Sequence, residues 1–203
     1  KRQPDDLEAF TRAGAELVKF DTLKDSKLPK ADGLFIGGGF PETQLDALSA
    51  NDSLMTDIRE ALAAGMPAYA ECGGLMYLSR SIEWRGKKHS MVGAIPADTV
   101  MEMKPQGRGY VQLRETGDSI WPQSIGHPIA AHEFHYSRFI NVPKNARFAF
   151  QVLRGSGIDG EHDGYIHKNM LACYTHQRNT RNNNWVERFV DFVRQNKSTG
   201  RKS

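Results

Sequence analysis

Cysteine is scarce in this chain: among 203 residues only Cys72 and Cys173 occur. Two thiols build no disulfide framework, which excludes the small stapled secreted folds and fits a reducing compartment. Long apolar runs are missing too. Neither a signal peptide nor a membrane span is predicted, and the cytoplasm is the expected location. No Gly-Lys-Ser/Thr occurs, which excludes the nucleotide-binding phosphate loop. The net charge of +3 is small. Much of the basic excess sits in the stretch from Arg194 to Ser203, and residues 197–203 are expected to form a disordered tail. No nucleic-acid or membrane partner is indicated. What remains is an ordinary globular composition, in a length that supports one well-cored domain over residues 1–196.

The first part of the chain alternates helix and strand. Asp5–Ala13 reads as a helix opened by Pro4 and closed by Gly14. Glu16–Phe20 and Ala31–Ile36 read as strands. Leu54, Ile58 and Leu62 recur at helical spacing up to Gly65, and Pro67–Glu71 reads as the next strand. This order implies an α/β fold with an open, mostly parallel sheet flanked by helices. Beyond residue 80 short β-prone runs dominate: Met91–Val92, Gly109–Leu113, Phe148–Leu153 and Asn169–Tyr174. Turn signals such as Asp159-Gly160 and Asp163-Gly164 separate some of them, so antiparallel strands are expected in the second half. A last helix is expected over Asn183–Arg194, with Trp185, Phe189, Phe192 and Val193 on one stripe. Open α/β domains ordinarily begin with a strand. A chain that opens on a helix therefore implies a first strand upstream, within a larger protein.

Cys72 carries the chemistry. In Pro67-Ala68-Tyr69-Ala70-Glu71-Cys72-Gly73-Gly74-Leu75-Met76-Tyr77-Leu78 an apolar run stops at a thiol, two glycines follow, and an amphipathic stretch begins. That is strand, tight elbow and helix, the arrangement that lifts a nucleophile clear of a sheet. Free N–H groups and the dipole at a helix start favour thiolate. A small buried core Cys is the alternative, and the flanking glycines argue against it. Gly37-Gly38-Gly39 follows another strand toward the same sheet edge. Its N–H groups could serve an oxyanion at Cys72 together with that of Gly73; a turn needing positive φ is the other reading. A thiol needs a base, and His176, at the end of Leu171-Ala172-Cys173-Tyr174-Thr175, would be delivered to that edge from a strand end. His132 and His135 lie three apart, so on a strand they face opposite ways and no shared metal is expected.

Gly37-Gly38-Gly39-Phe40-Pro41-Glu42, the block around Cys72, Gly107-Arg108-Gly109-Tyr110, His132-Glu133-Phe134-His135-Tyr136-Ser137 and Tyr174-Thr175-His176 occur in this order. Together they resemble the glutaminase domain of cobyrinic acid a,c-diamide synthases, a corrin-amidating branch of the class I, triad-type glutamine amidotransferases. The resemblance runs over nearly the whole chain and implies a flavodoxin-like fold. It implies that Cys72 attacks the glutamine side-chain amide, with His176 as base. Gly38, Gly39 and Gly73 would form the oxyanion hole, and His132 and Glu133 would line an interface or the substrate edge. Ammonia would pass to an upstream synthetase domain that uses ATP and magnesium on a tetrapyrrole acid, while this chain itself needs no cofactor or metal. Many class I members carry a carboxylate two residues after the base. Here that residue is Arg178, as it commonly is not a carboxylate in the corrin branch, and what orients the imidazole is left open. Lys104-Pro105-Gln106 has no assignment, and a branch acting on a sirohaem-like acid stands beside the corrin reading. So do a degenerate interaction domain on the same fold and another Cys hydrolase.

Overall fold

The computed structural model describes residues 4–121 and 127–199. In chain order these form α1 (Pro4–Arg12), β1 (Leu34–Ile36), α2 (Leu45–Ala50), α3 (Asp52–Ala63), β2 (Ala68–Glu71), α4 (Gly73–Leu78), β3 (Ser79–Trp84) and β4 (Lys87–Ser90). There follow β5 (Ile95–Met101), β6 (Gly107–Glu115), β7 (Ile129–His135), β8 (Ser137–Ile140), β9 (Arg147–Arg154), β10 (His162–His167), β11 (Met170–Cys173), β12 (His176–Gln177) and α5 (Trp185–Thr199). Among the described residues the main sheet runs β1-β2-β11-β10-β9-β6-β7-β12, and a smaller one runs β4-β3-β5-β8.

The fold is the expected α/β class. β1, β2 and β11 pair in parallel, and the strands from β10 outward add to them antiparallel. The antiparallel extension is the larger part of the sheet. Alternation along the parallel strands explains the layers, because successive side chains point to opposite faces. Ala68 and Ala70 of β2, with Met170 and Ala172 of β11, face a core closed by α3 and α4. Tyr69, Leu171 and Cys173 face a second core with Phe10 of α1 and Trp185 and Phe189 of α5.

Three expectations need correction. Glu16–Phe20 belongs to neither sheet; β1 pairs only with β2, and no ladder among the described residues reaches this segment, so it forms no strand. Met91 and Val92 are apolar because they are buried, not because they form a strand; their N–H groups bond the Arg80 and Tyr77 carbonyls instead. Helix α5 continues through residues 197–199, since no breaker precedes Gly200 and Lys197 is tied to Asp32 at 2.8 Å. The rest of the expected tail, 200–203, lies outside the described residues.

Candidate active site

β2 ends at Glu71 and the chain turns at once into α4, which forces Cys72 to φ 48° and ψ −104°. A side chain with positive φ is strained, and such strain persists only where the surroundings over-determine it. Here the Cys72 N–H is held by the Cys173 carbonyl at 2.7 Å, and its own carbonyl accepts from Met76. The glycines that follow let backbone meet backbone. A Cβ on Gly73 would lie 2.5 Å from the Gly39 carbonyl oxygen, and one on Gly74 would collide with the Ile36 carbonyl. The loop after β1 therefore lies directly against the elbow.

Gly37, Gly38 and Gly39 do not have positive φ. Handedness is thus not why glycine stands here, and only at Gly38 is close approach the reason. A Cβ on Gly38 would sit 2.5 Å from Cε1 of His176.

His176 opens β12 and pairs in register with His132 of β7. The approach to it is pinned by buried Asp163, which accepts from the Tyr174 and Thr175 N–H groups at 2.9 and 3.0 Å and from the Thr175 hydroxyl at 2.6 Å. The imidazole lies beside both Cys72 and Glu71, with Nδ1 3.4 Å from the Glu71 carboxylate. Burial opposes charge on this ring, yet the hydrogen bonds and negative charge of Cys72 and Glu71 outweigh it and push His176 up to about 10. Cys72 is 6% exposed, and its thiol donates to the Phe134 carbonyl at 3.7 Å.

Cys72, His176, Gly38, Gly39 and Gly73 thus converge. His132 joins them, its ring stacked on that of His176. Glu133, expected at an interface or substrate edge, is elsewhere: it is 3% exposed and accepts from the Ser156 and Gly157 N–H groups at 2.7 and 3.0 Å. The period of two along β7 turns it inward, with His135, which stacks on Tyr174. Cys173 is fully buried, and burial, then the charges of Asp163 and Glu71, push its thiol well up. Glu71 is not singled out by any motif spacing. The one signal is an ionisable residue ending a strand buried at every position, where a charge must be paired. Among the described residues no group of three or more His, Cys, Asp or Glu is placed to hold a metal.

A thiol at a strained elbow with an imidazole and backbone N–H groups around it is the kind of equipment acyl transfer uses. The scaffold and this pairing define an α/β protein with a thiol–imidazole pair where its parallel strands end. Residues 3–184 match the model of the CobB/CobQ-like glutamine amidotransferase domain. The chain belongs to that family. It is 47% identical over 173 residues to a cobyrinate a,c-diamide synthase of Magnetococcus marinus, covering 85% of this chain and 37% of that protein. With the enzyme of the same name from Caldanaerobacter subterraneus it shares 42% over 188 residues, 91% of this chain and 41% of the relative. The chain therefore spans about two fifths of the length of these relatives. A solved glutamine amidotransferase of Thermotoga maritima superposes with a TM-score of 0.59 at 15% identity, covering 97% of this chain and 79% of that one.

Proposed function

We propose that this chain is the glutaminase part of an ATP-dependent tetrapyrrole a,c-diamide synthase of the cobyrinate kind. The thiol proton passes from Cys72 to His176, and the thiolate sulfur, beside the imidazolium, attacks the side-chain carboxamide carbon of glutamine. The tetrahedral oxyanion lies toward the N–H groups of Gly73 and of the Gly38–Gly39 loop. As it collapses, the C–N bond breaks and His176 returns the proton to leaving ammonia. Water, deprotonated by the same imidazole, then cleaves the γ-glutamyl thioester to glutamate and free thiol. The observation that carries this reading is the convergence of a strained Cys72 elbow and the His176 ring on one glycine loop, Gly39 lying against Gly73 and Gly38 against the imidazole.

The remaining three fifths of the relatives supply the rest of the proposal. A synthetase half would bind ATP, magnesium and the tetrapyrrole acid, while this chain uses glutamine alone, in the cytoplasm. Two features support a neighbour here. The outward face of β6 and β7 carries Tyr110, 81% exposed, with Phe134 and Tyr136 beside the site. The outer edge of β1 is unpaired among the described residues, which suits a first strand from an upstream segment. Among the described residues no helix is long and apolar enough to cross a membrane.

The test is ammonia release from glutamine by this chain alone, then with the synthetase half, ATP and either cobyrinic acid or a sirohaem-like acid. Release that depends on Cys72, with amidation of one acid only when the halves are combined, is expected. Absence of labelling at Cys72 by a glutamine-analogue electrophile would leave a non-catalytic domain instead. Tight ATP binding by the chain alone would contradict the division of labour.

A further inference from the structure

We infer that Glu71 is the positioning residue for His176, supplying from the strand before the nucleophile the carboxylate that His176-Gln177-Arg178 lacks. This rests on the reading of Cys72 and His176 as nucleophile and base. An imidazole that takes and holds the thiol's proton on the nitrogen facing the sulfur keeps its other nitrogen protonated as well. That requires an acceptor on the far side of the ring. Glu71 is 4% exposed and its Oε2 lies 3.4 Å from Nδ1 of His176. With Nδ1–H donated to Glu71, Nε2 is the nitrogen left for Cys72. Residue 178, two positions after the histidine, is an exposed Arg and offers no acceptor.

Glu71 is itself held rigidly. Its Oε1 accepts from the Tyr69 hydroxyl at 2.8 Å and from the Gln177 N–H at 3.0 Å. Gln177 Nε2 donates to the same Tyr69 oxygen at 3.1 Å, while Asn183 donates to Gln177 Oε1 at 3.1 Å. Arg188 of α5 donates to Asn183 at 2.8 Å. Tyr69 stays a phenol, because burial and then the charge of Glu71 push its titration well above the ordinary range. A buried polar chain with its members paired specifies one geometry. This one runs from α5 through the residue after the base to the residue before the nucleophile. It fixes Glu71 Oε1 and leaves Oε2 for the imidazole.

Glu71→Gln is the test, read in three ways on the 203-residue chain. Glutamine turnover should fall a hundredfold or more in kcat with KM little changed, since Glu71 is buried; loss of the orienting carboxylate in the Ser-His-Asp triad costs about 10⁴-fold. Alkylation of Cys72 by iodoacetamide should slow at neutral pH and change its pH profile. The His176 ring, followed by NMR, should titrate lower than in the unsubstituted chain. The groups that bear on that titration are Glu71 of β2, Cys72 at the elbow, His132 of β7 and, through His132, Arg178. The second and third readouts need no glutamine, so they separate failure of this assignment from failure of the glutaminase reading, which Cys72→Ala tests. Should Glu71→Gln not fold, Cys72→Ala with Glu71 intact provides the same decision. Its His176 ring should still titrate above 6.5 and its Nδ1 should carry the proton. A folded Glu71→Gln with unchanged kcat and ring titration, or a His176 ring at its ordinary value in Cys72→Ala, overturns the assignment.

Discussion

The imidazoles of His132 and His176 lie face to face, 4.9 Å between centroids and 17° between planes. Register makes the contact, because the two residues are directly paired between β7 and β12. A cation on one ring disfavours a cation on the other. Burial, then the charge of His176, hold His132 below 6.5, while Cys72 and Glu71 hold His176 above it. Charge is thus disfavoured on one of two histidines in contact and favoured on the other, the divergence that acid–base sites use.

His176→Ala should let the His132 ring titrate closer to 6.5, as NMR of its ring protons would record. Stability follows with a defined sign. His176 has a folded value above its unfolded one, so its contribution is full below pH 6.5 and is lost as pH rises toward about 10. His132 works the other way, contributing above pH 6.5 and less as pH falls through its folded value. The difference in melting temperature between the unsubstituted chain and His176→Ala should therefore narrow from pH 6.5 toward pH 10. A difference that widens over that range would contradict the ion pairing of His176.

Cys72→Ser and Cys72→Ala should lose glutamine hydrolysis by roughly a thousandfold or more while folding normally. Cys173→Ser should keep it, and native Cys173 should resist alkylation, since burial pushes its thiol well up. Mass spectrometry after brief iodoacetamide treatment would check this. Label on Cys173 ahead of Cys72 would reverse the assignment.

The glycine loop gives a contrast. Gly38→Ala brings a Cβ to within 2.5 Å of the His176 ring, and an ångström of misplacement costs on the order of a hundredfold in rate. Gly39→Ala meets nothing within 4 Å and keeps its N–H, so activity should stay near the unsubstituted level. Equal loss in both variants would show that loop flexibility, and not clearance for the imidazole, is what these glycines provide.

Asp98, in the small sheet, predicts acid sensitivity unrelated to catalysis. Burial would raise its carboxyl, but hydrogen bonds from Asn141, Ser81 and Arg80, with the Arg80 charge, outweigh it and lower it to about 2. A depressed carboxylate stabilises the fold above pH 3.8 and stops doing so as pH falls toward 2. Asp98→Asn should cost on the order of 2 kcal/mol at pH 7, a gap that closes between pH 4 and 2. Denaturant titration at several pH values would measure it.

Part of this site was legible in the chain of letters. Cys72-Gly73-Gly74 after an apolar run announces an elbow, because few sequences other than small residues let a strand turn so sharply. The glycine triplet was legible as a close-approach loop, although not why: its partner, the His176 ring, is distant in sequence. The hairpin of β3 and β4 went unread, although Arg85-Gly86 marks it with two positive φ values. Glu71 and Glu133 show the limit most clearly. Both are acids in strands, and a pattern reader sees two interchangeable carboxylates.

The sequence determined by itself what depends on neighbours along the chain: the elbow that places the Cys72 thiol, the parallel strand before it and the stripe of α5. Those follow from local sterics and from periods of two and 3.6, which need no knowledge of distant residues. Only the tertiary structure decided that Glu71 faces His176, that Glu133 instead holds the Ser156–Gly157 backbone, and that His132 stacks on His176. Those partners are joined by strand register across the sheet, where a shift of one residue would turn each side chain to the other face.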